Sequence, residues 1–333
     1  MHREIVLFSF IIVLLIGVGS CVEPPPSDTV TDPVPGPVFD GTHGARPVPR
    51  STTPTADDTF VLPTGTGDCS EQNPCSLTQG IAHGGHIWMN PGVYTHSGQL
   101  NLGSNKILES TDPDRKAVID FQDSPNSRLT IRDSNELRNI IVTRSSQVGI
   151  VIWGDHNLLE GVISEHNYGS GIHLWPDGSG YDDLINPDGA SYNVIRDTIA
   201  RYNDDRCRGT GATTCTVSDA DGISISAGRG NLIEYSEAYG NTDDGFDFWR
   251  SYMGTIRYSL AYGNGYNSLG NRAGNGIGFK MGSADGPVPN EHLIDSNWAY
   301  GNAGAPFTRN SGSGATFENN VCGESPEPCG PSW

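Results

Sequence analysis

The run Asn231-Leu-Ile-Glu-Tyr-Ser-Glu-Ala-Tyr-Gly-Asn241 returns as Thr255-Ile-Arg-Tyr-Ser-Leu-Ala-Tyr-Gly-Asn264 and again as His292-Leu-Ile-Asp-Ser-Asn-Trp-Ala-Tyr-Gly-Asn302. Weaker copies precede it: Asn157-Leu-Leu-Glu-Gly-Val-Ile-Ser-Glu-His-Asn167 and Asn193-Val-Ile-Arg-Asp-Thr-Ile-Ala-Arg-Tyr-Asn203. Each copy ends on an asparagine and leads to a strand headed by glycine: Gly171-Ile-His-Leu, Gly222-Ile-Ser-Ile, Gly245-Phe-Asp-Phe and Gly278-Phe-Lys-Met. Internal self-similarity of this kind marks a solenoid. Apolar and polar residues alternate within each strand, so one face of each points inward. Asparagines at equal turn positions can stack and hydrogen-bond along the axis. Asn241 and Asn264 lie one coil apart, whereas the wider gaps from Asn203 to Asn241 and from Asn264 to Asn302 imply loops inserted into one turn. Such loops often build the binding face of a solenoid. The expected fold is all-β, a right-handed parallel β-helix with Ile233, Ile256 and Ile294 stacked in its core. The Leu-x-x-Leu-x-Leu rhythm of leucine-rich repeats is absent, and propeller blades need about 40 or more residues each.

Outward from the repeat, Asn90-Pro-Gly-Val-Tyr94 resembles the opening turn of many parallel β-helices, and a short helix from about Ser76 to His83 is expected to cap the open core. The β-helix domain is read as 59–333. The stretch 22–58 holds Pro24, Pro25, Pro26, Pro33, Pro35 and Pro37 among Thr, Ser, Asp and Gly, and is read as a disordered linker. Residues 1–21 read as an export signal: Arg3 precedes an apolar run from Ile5 to Val18 that is short for a membrane span. The run ends in Val18-Gly-Ser-Cys21, which resembles a bacterial lipobox, so Cys21 is the expected lipid anchor, with an ordinary signal peptide as the alternative. The other cysteines form three close pairs, Cys69 with Cys75, Cys207 with Cys215 and Cys322 with Cys329, as disulfides in an oxidising, extracytoplasmic compartment would. A zinc site is the weaker reading, because no CxxC unit or matching histidine pair accompanies them.

Composition agrees. Of 333 residues 35% are hydrophobic and 43 are glycine, which suits many short strands and turns. The formal net charge of −19 disfavours nucleic acid as a partner, since phosphate contacts need clustered Lys and Arg. A monomer is expected.

Aligning the glycine-led strands produces a column. His173, Ser224, Asp247 and Lys280 each stand two residues after glycine, and stacking would set neighbours about 4.8 Å apart. Asp221 precedes Gly222 and Asp244 precedes Gly245, so these two should also be neighbours, with Asp243 and Asp247 flanking them. Asp-Gly is a good turn former, and that suffices for any one pair. Four carboxylates on adjacent rungs repel unless a cation compensates, and hard oxygen ligands in that number fit Ca²⁺. Asp219 is a reserve ligand. Lys280 lies one rung beyond Asp247, where a bound cation would lower its pKa and make it a candidate general base.

Ala220-Asp-Gly222, Asp243-Asp-Gly-Phe-Asp-Phe-Trp249 and Gly274-Asn-Gly-Ile-Gly-Phe-Lys-Met-Gly282 together resemble the family 9 pectate lyases over roughly 150–320. The resemblance implies a parallel β-helix enzyme that cleaves an acidic polysaccharide, pectate-like, by β-elimination, with Asp221, Asp243, Asp244 and Asp247 as calcium ligands and Lys280 as the base. The chain departs from that pattern in the Cys207–Cys215 loop and in an extra Ile-Gly before Phe279. Arg250, Arg257, Arg272 and Arg309 lie nearby in sequence and could meet further substrate carboxylates. Rivals are a lyase or epimerase for another uronate polymer and a non-catalytic surface β-helix that binds glycans or calcium. A glycoside hydrolase is suggested by Asn241-Thr-Asp243, which is similar to a polygalacturonase motif. The Gly-His-Gly and Arg-Ile-Lys motifs of those enzymes are absent.

Overall fold

The alternation in the repeat becomes three parallel sheets wound from one chain. A computed structural model describes residues 53–55, 57–175, 189–205, 219–268, 270–282, 291–309, 314–323 and 327–329. The leader 1–21, nearly all of the linker and the Cys207–Cys215 pair lie outside those residues. Trp88 Nε1 donates to the Asp58 carboxylate at 2.8 Å, tying the segment before the first strand to the solenoid. Helix α1, Leu77–His83, follows, N-capped by Ser76, whose hydroxyl accepts from Gln79 N while the Gln79 side chain accepts from Ser76 N. This reciprocal box satisfies amide donors that the first turn would otherwise strand. Leu77, Gly80 and Ile81 are its buried positions.

Each coil then visits the sheets in turn. Among the described residues the first sheet has ten strands and includes Val194–Arg196, Leu232–Glu234, Thr255–Arg257 and Leu293–Asp295. The second, also of ten, includes Ile199–Arg201, Glu237–Tyr239, Leu260–Tyr262 and Trp298–Tyr300. The third has eight and runs from Gln99–Gly103 through Ile150–Ile152, Ile172–Leu174, Ile223–Ile225, Phe246–Phe248 and Phe279–Met281 to Phe307–Arg309. Neighbouring strands are parallel except for a terminal antiparallel pair, Val321–Cys322 with Glu327–Pro328. Disulfides Cys69–Cys75 and Cys322–Cys329 are formed, one near each end of the solenoid.

Register makes like residues stack. Ile195, Ile233, Ile256 and Ile294 are successive partners on the first sheet and all are at most 1% exposed. In the third sheet the rings of Phe246, Phe279 and Phe307 stack face to face at centroid separations of 4.8 Å.

The copy-ending asparagines form a continuous ladder. Oδ1 of Asn203, Asn241, Asn264 and Asn302 each accepts from the backbone N and the Nδ2 of the asparagine one coil earlier. A second ladder runs Asn135, Asn157, Asn193 and Asn231, with the same paired bonds at each step. Apart from Asn302 at the end of the first ladder, these amides are buried, so each bond also removes an expensive unsatisfied group. The leading glycines follow from the first ladder. A Cβ on Gly245 would lie 2.7 Å from the Gly278 carbonyl oxygen and 3.0 Å from Asn264 Nδ2.

Two substitutions probe this core. Ile256→Ala should cost about 2–5 kcal/mol through lost burial and a residual cavity. Asn264→Ala should cost about 1–3 kcal/mol for each donor of Asn241 left without its acceptor. Denaturant unfolding of each variant measures both, and a loss under ~0.5 kcal/mol for either would contradict tight stacking.

Candidate functional site

The expected column exists. His173 pairs in register with Ser224, Ser224 with Asp247, and Asp247 with Lys280. It extends further than the glycine-led strands suggested, through Asn101, Thr130 and Val151 at one end and Thr308 at the other. The alternating residues, such as Phe246, Phe248, Phe279 and Met281, fill the core, so every column residue faces outward.

Asp221, Asp243 and Asp244 each offer an oxygen within 4.8 Å of the others' and all three are buried. The turn before each third-sheet strand holds them there. Asp221 Oδ1 accepts from Asp244 N at 3.1 Å, and Asp243 N donates to the Ala220 carbonyl at 3.1 Å. The segment before Lys280 closes over the group. Asn275 N donates to Asp243 Oδ1, and Ile277 N donates to Asp244 Oδ1 at 2.7 Å. Gly274 and Gly276 make that turn with φ of +56° and +65°, and a Cβ on Gly274 would sit 2.3 Å from Asp243 Oδ1. The Ile-Gly that departs from the family pattern thus places an amide donor on a site carboxylate, a role that strand alignment does not reveal.

Asp247 stands beside this trio. Its Oδ2 accepts from Lys280 Nζ at 2.8 Å, and Asp244 Oδ2 accepts from the same ammonium at 2.9 Å. The other oxygen, Asp247 Oδ1, is buried with no hydrogen-bond partner among the described residues. Asp219 is exposed and lies outside the trio; its backbone N donates to Asp205 Oδ2 at 2.6 Å. His173 bonds Ser226 Oγ through Nε2 at 2.8 Å, and burial pushes its pKa down to about 4, so it is neutral at neutral pH.

Four buried carboxylates face one ammonium, and their acidities record the imbalance. Burial, then the charges of Asp247, Asp244 and Asp243, raise the Asp221 pKa well above the usual range. Burial and Asp244 push Asp243 up to about 7. Burial drives Asp247 up to about 6 against the pull of Lys280, and raises Asp244 as well. Burial alone would lower the Lys280 pKa, but Asp247 and Asp244, through charge and hydrogen bonds, hold it above the ordinary lysine value. An oxygen-only donor set with surplus negative charge and an orphaned carboxylate oxygen fits a hard divalent cation.

The arginines named from sequence are spread over several elements. Arg257 is on the first sheet, bonded to Glu234 Oε2 at 2.9 and 2.6 Å. Arg309 pairs in register with inward-facing Met281, and its guanidinium lies 5.3 Å over the Phe317 ring. Arg250 stacks 3.9 Å over Trp249, and Arg272 is exposed in a bridge with Tyr266.

Excess charge gives a test. The unfolded carboxylates titrate near pH 4, about two to three units below Asp247 and Asp243 in the fold. Between those values the folded state binds more protons, so these groups erode the stability of cation-free protein as pH rises from about 4 towards 7. Asp243→Asn, in chelator, should therefore melt higher than the parent at pH 8 and lose that advantage near pH 4. The same variant should show a smaller rise in melting temperature on adding a divalent cation. Thermal scans across pH read both effects, and a variant less stable than its parent at pH 8 in chelator would sink the argument.

Comparison with known proteins gives a consistent pattern. The family described as "Pel9A-like, right handed beta helix region" matches residues 59–325. Pectate lyase L of Paenibacillus polymyxa (strain SC2) is 30% identical over 304 residues, covering 81% of this chain and 64% of that protein. Pectate lyase L of Dickeya chrysanthemi is 29% identical over 291 residues, covering 79% of this chain and 64% of that protein. The chain thus spans just under two thirds of these curated relatives. Among solved structures, the crystal structure of pectate lyase Pel9A superposes with a TM-score of 0.65 at 27% identity, covering 79% of this chain and 68% of that one.

Proposed function

The chain belongs to the Pel9A-like right-handed β-helix family, and from that premise we propose that it is a calcium-dependent lyase that cleaves a pectate-like uronate polymer by β-elimination. One observation carries the reading: Lys280 Nζ is held at 2.9 and 2.8 Å by Asp244 and Asp247 at the edge of the buried aspartate group.

In this reading Asp221, Asp243, Asp244 and Asp247 hold Ca²⁺, with the buried Asp247 Oδ1 among the donors. Bound there, Ca²⁺ supplies positive charge for the uronate carboxylate and for the negative charge that develops on it. Asp244 and Asp247 orient Nζ, and a cation held by the same carboxylates would weaken their hold on the lysine proton. Neutral Nζ then takes the C5 proton. The C5–H electron pair becomes the C4=C5 double bond, the C4–O4 bond breaks, and water protonates the departing O4. Lysine suits this task because its amine can shed a proton, which a guanidinium does not do.

Residues 1–21 and the local disulfides support an extracytoplasmic protein, held to the envelope if Cys21 carries lipid. The proline-rich stretch 22–58 would then set the β-helix away from the surface.

Incubation with polygalacturonate and calcium should produce unsaturated uronides, read by their ultraviolet absorbance, and chelator should abolish the signal. Lys280→Ala should lose about 10²–10⁴-fold in kcat while still binding polymer, and Lys280→Arg should fail similarly. The parent's kcat should rise with pH until Nζ is neutral. Near-normal turnover by Lys280→Ala would remove the chemical basis of the assignment.

A further inference from the structure

The outward column does not end at the aspartates. About four rungs before Asp247, roughly 19 Å along the same sheet, it reaches a pocket. That pocket has a volume near 340 Å³ and is lined by Gln99, Asn101, Gly103, Thr130, Arg132 and Trp153. The described residues forming it are continuous with the candidate site through Val151, His173 and Ser224.

Three features give the pocket a chemistry. Thr130 is 2% exposed, and its Oγ1 is buried without a hydrogen-bond partner among the described residues. A hydroxyl in that state costs stability unless a ligand or water meets it. Arg128, Thr130 and Arg132 alternate on the outer face, while Leu129 and Ile131 are fully buried. Finally, both guanidinium carbons lie 5.3 Å from the centroid of the Trp153 ring. On a chain of net charge −19, these two arginines put local positive charge on the face that carries the candidate site.

Trp153 also begins a track. Its backbone N donates to the carbonyl after which Arg132 follows, and successive bonds of the same kind place Trp175, Ser226 and Trp249 at equivalent positions one rung apart. Trp153, Trp175 and Trp249 are each partly exposed. The track therefore runs beside the outward column from the pocket to the rung of Asp247.

We propose that the Thr130–Arg132–Trp153 pocket is a distal subsite for a uronate unit of the polymer whose reaction occurs at Lys280. Trp153 offers apolar surface for the sugar ring and Arg132 meets the carboxylate in a charge-assisted bond, with Thr130 beneath them in the pocket floor. This inference rests on the reading of the chain as a uronate-polymer lyase. It makes the enzyme one that grips a long stretch of chain on the N-terminal side of the cleavage point. It also assigns a substrate-binding arginine, Arg132, that the repeat did not single out.

Calorimetric titration tests it, with Lys280→Ala as parent so that the polymer is not consumed. The ligands are polygalacturonate, its carboxyl-reduced counterpart and a galacturonate trimer, all with calcium. Arg132 is exposed, so Arg132→Gln is the variant least able to disturb the coil; Trp153→Ala is the second. Each should weaken polygalacturonate binding about tenfold or more, the expected loss for one charge-assisted hydrogen bond or one ring contact. Affinity for the trimer, too short to reach from Lys280 to Trp153, should not change. On the carboxyl-reduced polymer Arg132→Gln should bind as the parent does. Equal polygalacturonate affinity for the parent and both variants would overturn the subsite alone, whereas no binding by the parent would overturn the lyase reading and the subsite together.

Discussion

Everything in this molecule depends on coils staying in register, and the buried asparagine ladders are what hold them there. Each Oδ1 accepts two donors from the preceding coil, so a slip by one residue would strand several buried amides at once. The ladder also forces glycine at 149, 171, 222, 245 and 278, at the head of five successive third-sheet strands, because no Cβ fits between neighbouring turns. That close approach brings the Asp221 turn and the Asp243–Asp244 turn within hydrogen-bonding range. The gathering of carboxylates is thus a by-product of the same constraint that keeps the fold together. Its electrostatic cost falls on the site and is relieved only when positive charge is present.

The strength of that constraint explains how much could be read from sequence. Repeats state their own alignment, so the column His173, Ser224, Asp247 and Lys280 follows from counting two residues past each glycine, and the inward stack Ile233, Ile256 and Ile294 follows from the copies. The second ladder was visible as well, in the asparagine that opens the copies at 157, 193 and 231.

What escaped lies where the repeat is broken. The amides of Asn275 and Ile277 reach Asp243 and Asp244 through a turn with two positive-φ glycines, and no neighbouring coil repeats it among the described residues. Arg257 looked available because it is near Lys280 in sequence, yet it belongs to a different sheet, where Glu234 on the adjacent rung claims it. The pocket at Thr130 went unseen because Ser127-Arg-Leu-Thr-Ile131 has no leading glycine and so did not align with the later strands. Proximity along a chain says little in a solenoid, where the next neighbour in space is a full coil away.

The track of tryptophans beside the outward column has a consequence for how such a protein can change. The proposed site occupies three adjacent rungs, while the surface leading to it is built one rung at a time from coils that touch only their neighbours. Under the proposed function, adding or removing a coil at the N-terminal end would alter the length of polymer embraced and leave the aspartate–lysine group in place. Reach and reactivity are therefore separately inherited properties of the architecture, adjustable by duplication in one case and by point substitution in the other.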